Sequence, residues 1–157
     1  MVGRFKRLWI DAQEFALASL DRLCWRTGRA QAIASHLETG LRGERAALFE
    51  LRRRGVTIVA RRWTSTRMRG DVDLIGWDGE WLCFVEVKTR TARDMKPAEA
   101  AVDEDKREML RRLARAYLRT FPENERRYIP VRFDVVSVYA IGGATEFNIF
   151  PAAFGWR

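Results

Sequence analysis

The pattern of apolar and polar positions along this 157-residue chain predicts helices first, then three strands, a long helix and two further strands. Apolar residues recur at three- and four-residue steps over residues 3–24 and over 27–38, which is typical of helices with one apolar face. Thr39-Gly40 interrupts this pattern. A third helix is predicted over residues 41–54, and Gly55 suits the position that follows a helix end.

Three short segments in the middle of the chain have the composition of strands. Residues 56–63 alternate and are rich in branched side chains, residues 71–77 follow a polar basic loop at 64–70, and residues 81–88 are almost continuously apolar. The Asp78-Gly79 pair between the last two segments is a strong hairpin-turn pattern. A run as apolar as 81–88 predicts a strand in the centre of a sheet.

One long helix is predicted after these strands, over residues 103–120, with Asp103 as its N-cap. Strands over 131–139 and roughly 145–150 follow. We therefore expect an α/β fold in which helices flank a mixed sheet. The buried stripe of the long helix is predicted to consist of Leu110, Leu113, Ala114, Tyr117, Leu118 and Phe121.

Residues 1–38 are predicted to form a helical extension of a main domain that covers residues 39–157. We expect this extension to pack on its own domain, because apolar helical stripes usually face a core. Docking on a partner protein or on a membrane surface are the alternatives, and Asp11 and Glu14 beside the apolar face disfavour the membrane. The stripe consists of Phe5, Leu8, Trp9, Ala12, Phe15, Ala16, Leu20 and Leu23.

Composition and charge narrow the classes of function. The chain is 47% hydrophobic and carries a net charge of +8, so a packed domain with a polyanionic partner is expected. Residues 71–105 form an acidic segment between basic ones, as a cation site inside a nucleic-acid cleft would require. One histidine, His36, and two cysteines disfavour structural zinc and histidine-based triads. No run approaches about 18 apolar residues and no disulfide framework is present, so we expect a cytoplasmic protein without a membrane span.

Three charged residues of the predicted hairpin carry the candidate chemistry. Asp73 lies on its first strand, and Glu86 and Lys88 lie two residues apart at the end of its second. Phosphodiester hydrolysis needs an activated water and a place for negative charge to develop, and a divalent ion supplies both. Asp73, Glu86 and the carbonyl of Val87 could hold Mg²⁺ or Mn²⁺. Lys88 could orient the water or stabilise the transition state, whereas the alternative is an ordinary ion pair between Glu86 and Lys88.

Further charged residues are candidates for the surroundings of this site. Glu44 lies on the apolar face of its predicted helix, where it either interacts with the helix N-terminus or points another carboxylate at the site. Asp71 shares a face with Asp73 and either binds a water ligand or ends the strand. Several basic residues are predicted to bind nucleic-acid phosphates, and the alternative is a solvated basic face. They are Arg67, Arg69, Arg90, Lys106, Arg107 and Arg111.

Four short motifs resemble those of the YraN-like family over roughly residues 39–154. The family's Gly-Glu-Ile-Asp-Leu-Ile stands here as Gly70–Ile75, with Asp71 in place of the glutamate, and its Phe-Val-Glu-Val-Lys-x-Arg is intact at Phe84–Arg90. Its Gly-x-x-Gly-Glu matches Gly40–Glu44, and its Arg-Phe-Asp matches Arg132–Asp134. The family belongs with the restriction-endonuclease-like, Holliday-junction-resolvase-like nucleases of the PD-(D/E)xK type.

This resemblance implies a restriction-endonuclease-like fold. It also implies Asp73 and Glu86 as metal ligands, and Lys88 as the catalytic lysine. Glu44 would be an accessory acid. Residues 1–38 lie largely outside the resemblance and inherit no role from it.

These observations support three hypotheses of different classes. The first is a Mg²⁺-dependent endonuclease that acts on nucleic acid, with DNA as the expected substrate and branched or structured DNA as one form of it. The second is a non-catalytic nucleic-acid-binding module on the same fold. The third is an interaction subunit that docks through residues 1–38. Since resolvase-like enzymes often work as two-fold dimers, a homodimer is a further expectation.

Overall fold

The computed structural model describes residues 2–26, 35–90, 102–141 and 144–157. The helices and strands within these ranges follow the predicted order, with one short helix that was not predicted. They are α1 (Val2–Arg26), α2 (Ser35–Arg53), β1 (Thr57–Ser65), β2 (Met68–Asp78), β3 (Trp81–Arg90), α3 (Glu104–Leu118), the short α4 (Glu123–Arg126), β4 (Val131–Ile141) and β5 (Ala144–Phe154).

The five strands form one sheet in the order β1-β2-β3-β4-β5. β3 and β4 run parallel, and the three other neighbouring pairs are antiparallel. The parallel pair needs a crossover connection, and α3 lies in it. The prediction of a mixed sheet flanked by helices is therefore confirmed, and β3 occupies the predicted central position.

Helices cover both faces of the sheet. Since alternate residues of a strand point to opposite faces, each strand contributes apolar side chains to both layers. Leu82 and Phe84 of β3 pack with α3, whereas Cys83 and Val85 pack with α2. We call the two sets of apolar side chains the α3 cluster and the α2 cluster. The predicted stripe of α3 is confirmed in Leu110, Leu113 and Ala114, which are fully buried in the α3 cluster, and in the partly buried Tyr117, Leu118 and Phe121.

Three local signals in the sequence have the predicted geometry. Gly55 follows α2 with φ +102°, a left-handed conformation that suits glycine. The side chain of Asp103 accepts a hydrogen bond from the Lys106 backbone N–H at 2.8 Å, as an N-cap should. The hairpin between β2 and β3 also forms, although Asp78 still pairs with Trp81 and the two-residue turn is Gly79-Glu80.

Two predicted boundaries are wrong. Thr39-Gly40 does not end a helix, because α2 runs unbroken from Ser35 to Arg53. The predicted loop at 64–70 is a tight hairpin, in which β1 continues to Ser65 and β2 begins at Met68. Most of the predicted helix 27–38 and most of the predicted loop 89–101 lie outside the described residues.

The predicted orientation of α1 is also wrong. Its apolar stripe faces away from the domain, with Leu8, Trp9, Phe15 and Leu20 all more than half exposed. The opposite face contacts α2 through buried Ile10 and through polar groups. These polar contacts join Arg52 to Gln13 at 2.8 Å, Arg53 to Asp11 at 2.8 Å, and Arg53 to Glu14. Polar contacts with Arg52 and Arg53 at the end of α2 therefore hold α1 against the domain, and the apolar stripe does not. No helix among the described residues is long and apolar enough to span a membrane.

Candidate active site

An opening between β2 and β3 places the candidate acids opposite each other. The ladder between these strands extends from Asp78 and Trp81 only as far as Leu74 and Val85. Beyond it, β3 remains paired with β4 from Glu86 to Arg90. The same register continued by one residue would set Asp73 opposite Glu86. The two carboxylates therefore stand where the two central strands separate.

A kink shared by β1 and β2 accompanies this separation. Arg62 has φ +45°, in the left-handed region that is unfavourable for a residue with a side chain. Its neighbours pair as Arg61 with Leu74 and as Trp63 with Val72, so Arg62 lies opposite Asp73. Residues two apart normally share a face, yet Leu74 belongs to the α2 cluster and Val72 to the α3 cluster. β2 thus changes face at Asp73.

The side chain of Asp73 takes the place of a backbone hydrogen-bond acceptor for the Val87 N–H of β3. Its Oδ2 accepts a hydrogen bond from the Val87 backbone N–H at 2.7 Å, and only 8% of the residue is exposed. Burial, and next the nearby charge of Glu86, raise the pKa of Asp73 to about 7. The carboxyl is therefore fixed in position and titrates near neutral pH.

Glu86 is almost completely buried and contacts two lysines. Lys88 Nζ lies 2.9 Å from Glu86 Oε1, and Lys106 Nζ lies 2.9 Å from Oε2. The contact with Lys106 is an ion pair whose angles fall outside hydrogen-bond geometry, since Oε2 is buried without a hydrogen bond among the described residues. Burial is the largest single influence on the pKa of Lys106 and would lower it, but the interactions with Glu86 and the charges of Asp73 and Asp71 together outweigh burial, so the pKa is raised.

Glu44 lies on α2 and joins the edge of the site through Arg62. Arg62 Nε lies 3.6 Å from Asp71 Oδ2 and 4.0 Å from Glu44 Oε2. That Glu44 oxygen is buried and has no hydrogen bond within the described ranges. Burial raises the pKa of Glu44, with Arg62 opposing the shift. The preceding Gly43 lets α2 approach β3 closely, because a Cβ at this position would overlap the side chain of Thr89.

The six predicted phosphate-binding residues separate into different environments. Arg67 and Arg69 are exposed on the β1–β2 hairpin and, with Arg112 of α3, line a groove of about 290 Å³. Arg90 is half-buried at the end of β3. Lys106 belongs to the acid site itself.

The two remaining arginines contact the C-terminal segment. Arg107 Nε donates to the Val102 carbonyl at 2.9 Å, and its guanidinium lies over the Phe154 ring. Arg111 is 7% exposed, and it donates to the Gly155 carbonyl at 2.8 Å and to Glu104 at 2.5 Å. Its placement supports the packing of α3, so we no longer include Arg111 in a phosphate-binding surface.

The sequence predicts Lys106 as a phosphate-binding residue but not its contact with Glu86, and it predicts no role for Arg62. The sequence does place Lys106 three residues after the N-cap Asp103, which determines the side of the helix from which its side chain projects. That position indicates the direction of a side chain only once the packing of α3 on β3 is known. For Arg62 the sequence contains no signal, because its importance comes from a backbone kink.

The donor atoms of the site fit a hard divalent ion. Mg²⁺ is commonly bound by one or two carboxylates and keeps several waters. Asp73 and Glu86 supply two carboxylates across the strand opening, and Glu44 adds a buried oxygen without a hydrogen bond. No three acidic, histidine or cysteine side chains of the described residues cluster as a self-sufficient metal site. Any ion held here would therefore need water or substrate oxygens as well.

Comparison with known proteins shows the family to which the chain is related. The model of the uncharacterised protein family UPF0102 matches residues 43–138. The chain belongs to this family. The match includes all of β1 to β3 and α3, hence every residue of the candidate site, and it leaves α1 outside. The resemblance to YraN-like proteins is confirmed at this level, and the family's description names no activity.

Several UPF0102 proteins are similar to this chain over most of the domain. A UPF0102 protein of Koribacter versatilis is 52% identical over 119 residues, which are 76% of this chain and 80% of that protein. One from Solibacter usitatus is 47% identical over 96 residues, which are 61% of this chain and 70% of that protein. One from Rhodococcus opacus is 41% identical over 106 residues, which are 68% of this chain and 86% of that protein.

Proposed function

We propose that this UPF0102 protein is a Mg²⁺- or Mn²⁺-dependent endonuclease that hydrolyses phosphodiester bonds of DNA, with a sheet of the restriction-endonuclease-like type. The observation that carries the proposal is the pair of buried carboxylates, Asp73 and Glu86, at the point where two central strands separate, with Lys88 against one of them. Charged groups are rare in such a place because their burial is costly without a compensating role.

The proposed roles follow from the chemistry of each side chain. Asp73 and Glu86 would hold the ion, with the Val87 carbonyl as a third oxygen on the same strand. A bound divalent ion supplies a water of lowered pKa and stabilises developing negative charge. Lys88, 34% exposed and next to Glu86, can orient the attacking water or stabilise the charged phosphorane. Glu44 would act as an accessory acid at the edge of the site.

The basic surroundings supply a surface for the polyanion. Arg67 and Arg69 project from the β1–β2 hairpin beside Arg112, and all three are exposed. Neutralising phosphates with such residues releases counterions and gives salt-dependent affinity. Arg90 and Arg107 lie at the ends of the two elements that carry the lysines of the site, so they are secondary candidates.

The decisive experiment is a cleavage assay on branched, duplex and single-stranded DNA and on RNA, with Mg²⁺, with Mn²⁺ and with a chelator. We expect metal-dependent cleavage of at least one DNA substrate. Glu86→Gln keeps the size of the side chain but removes its charge, and we expect the rate to fall at least about a hundredfold. Asp105→Asn, an exposed acid of α3, is the matched control. Absence of cleavage on every substrate, or cleavage that survives Glu86→Gln, would refute the nuclease.

A non-catalytic nucleic-acid-binding module is the second candidate. It is favoured by the neutralisation of Glu86 by two lysines, which gives the site a stable arrangement without any ion. Such a module would bind DNA with an affinity that falls steeply with salt, independently of metal and of Asp73→Ala. A loss of binding in Asp73→Ala or in the presence of a chelator would argue against it.

A further inference from the structure

Lys106 reaches the acid site from a separate element, and the helix start fixes its position. Asp103 caps α3 by accepting the Lys106 backbone N–H at 2.8 Å. Arg107 holds the same turn through the Val102 carbonyl at 2.9 Å, and Arg111 holds the next turn through Glu104 and the Gly155 carbonyl. With its neighbours so anchored, Lys106 is presented to β3 by a rigid helix end.

The single negative charge of Glu86 is in contact with two positive charges, those of Lys88 and Lys106. Lys88 alone can neutralise it at Oε1, so Lys106 at Oε2 leaves an excess cation in a largely buried place. The contact with Lys106 is close at 2.9 Å but lacks hydrogen-bond geometry. An ammonium is a point charge on a flexible stem, so a contact of this kind depends on charge and not on fixed direction.

A divalent ion between Asp73 and Glu86 would compete with Lys106 for the same carboxylate. Two cations beside one carboxylate repel each other, so an ion bound to Glu86 would weaken the contact with Lys106. The Lys106 side chain is 23% exposed, so its amine can move to solvent or to a bound anion while α3 stays in place. The groove of Arg67, Arg69 and Arg112 runs along the same helix, on which a phosphate backbone would lie.

We propose that Lys106 is an exchangeable cation of the site, which neutralises Glu86 in the absence of a divalent ion and contacts a nucleic-acid phosphate once the ion has displaced it. This inference rests on the proposed metal-dependent action on DNA and extends it to a second lysine. Lys106 thereby couples ion binding to DNA binding. A purely structural lysine would stabilise the fold and would link neither.

The first test measures Mn²⁺ binding by titration calorimetry without DNA, so that it does not depend on cleavage. Lys106→Met removes the competing charge, and we expect Mn²⁺ to bind about tenfold more tightly. Arg119→Met removes the same charge from the far end of α3 and is the matched control, for which we expect a change of less than about twofold. Unchanged or weaker Mn²⁺ binding in Lys106→Met would overturn the proposal, as would an equal gain in Arg119→Met.

The second test measures affinity for a short duplex DNA with phosphorothioate linkages, which resist hydrolysis. We expect Lys106→Met to weaken binding about three- to tenfold when Mn²⁺ is present and to leave it nearly unchanged in a chelator. Arg67→Met, on the exposed hairpin, should weaken binding to the same extent in both conditions. Equal losses for Lys106→Met with and without Mn²⁺ would overturn the coupling.

The outcomes separate this inference from the proposed nuclease. If the wild-type protein shows the Mn²⁺ and DNA coupling but cleaves nothing, the inference holds and the nuclease fails. If the wild-type protein cleaves DNA and Lys106→Met changes neither Mn²⁺ binding nor metal-dependent DNA affinity, the nuclease holds and the inference fails. Lys106→Arg keeps the charge and is expected to retain wild-type Mn²⁺ affinity, so that a gain in Lys106→Met alone can be attributed to the lost positive charge.

Discussion

Two buried carboxylates lie almost side by side in this sheet and are used in different ways. Glu86 of β3 and Asp134 of β4 are each 3% exposed, and they occupy neighbouring rungs, since Glu86 pairs with Val135 and Asp134 with Val85. They point to opposite faces, because Glu86 shares a face of the sheet with Phe84 of the α3 cluster, whereas Asp134 shares the other face with Val136 of the α2 cluster.

The partners of Asp134 are fixed in direction. Arg132 Nε donates to both of its oxygens, at 2.8 and 3.1 Å, and the Ala152 backbone N–H donates to Oδ1 at 2.9 Å. The same guanidinium donates to Asp78 at 2.8 Å. Burial would lower the pKa of Arg132, but these hydrogen bonds outweigh it and raise the pKa. A network of this kind joins β2, β4 and β5.

The partners of Glu86 are replaceable. Its contacts are two ammonium groups on flexible stems, both partly exposed, and one of them lacks hydrogen-bond geometry. A guanidinium and a backbone N–H hold a carboxylate in one orientation, whereas an ammonium neutralises it without fixing it. The Arg-Phe-Asp motif at 132–134 therefore stabilises the fold, whereas the Glu-Val-Lys motif at 86–88 contains the exchangeable contacts on which the proposed activity depends.

Breaking the Asp134 network is expected to have the largest effect on stability. Arg132→Met leaves Asp134 and Asp78 without their shared cation, and losing one partner of a buried pair costs about 3–5 kcal/mol. The free energy of unfolding, measured by urea titration with circular dichroism, should fall by this amount.

The matched change at the other carboxylate tests whether the comparison is sound. Glu86→Gln leaves Lys88 and Lys106, which are 34% and 23% exposed and can turn to water. We expect the free energy of unfolding to change by no more than about 1 kcal/mol. Equal losses for Arg132→Met and Glu86→Gln would mean that both carboxylates are structural.

A dependence of stability on pH is also expected, and it should originate at the strand opening. The pKa of Asp73 is raised from 3.8 in a free carboxyl to about 7 in the folded chain. Between these values the folded protein binds the proton and the unfolded chain does not, so the free energy of unfolding falls as the pH rises, by at most about 1.4 kcal/mol per pH unit. This loss is absent below pH 4 and complete above pH 7, and Glu44 contributes in the same direction.

Asp73→Asn provides the measurement. The amide oxygen can still accept the Val87 N–H, but it does not titrate. In a chelator, the variant should therefore be more stable than the wild type at pH 8 and gain less at pH 5, as followed by urea unfolding at both values. Asp105→Asn, at an exposed site on α3, is the control. A slope that is the same in wild type and Asp73→Asn would assign the pH dependence to other groups.

The sequence predicted the parts of the molecule whose signals are local. The hairpin glycine, the N-cap Asp103, the stripe of α3 and the apolar run of β3 each depend on neighbouring residues, and all formed. The acid pair was predicted for the same reason, because charged residues next to the apolar run of a central strand stand out from their surroundings.

The rest depends on contacts between distant segments. The stripe of α1 faces outward because Asp11 and Glu14 find Arg53, some 40 residues away, and no local pattern records that pairing. Lys106 joins Glu86 only because α3 packs on the face of the sheet to which Glu86 points. Arg62 matters only because two strands kink together. The spacing of apolar residues identifies the buried face of a helix or strand, but which element packs against that face is determined only in the assembled fold.

A last pair of variants tests how tightly α2 packs against the end of β3 beside the proposed site. Gly43 and Gly40 both lie in α2, but a Cβ at Gly43 would overlap Thr89 of β3, whereas a Cβ at Gly40 meets nothing within 4 Å. Gly43→Ala should lower the free energy of unfolding by about 1–3 kcal/mol through overpacking. Gly40→Ala should raise it by about 0.5–1 kcal/mol, because alanine is the better helix residue.

A double variant shows whether the cost arises at this contact. Thr89→Ala removes the Oγ1 atom that a Cβ at Gly43 would meet first, so it should recover part of the loss in Gly43→Ala, measured as a non-additive term in a double-mutant cycle. Additive effects would place the strain elsewhere in α2. Since Glu44 directly follows Gly43, recovery would also show that the position of this acid depends on how closely α2 approaches β3, in contrast to Asp134, whose position is set by its hydrogen bonds.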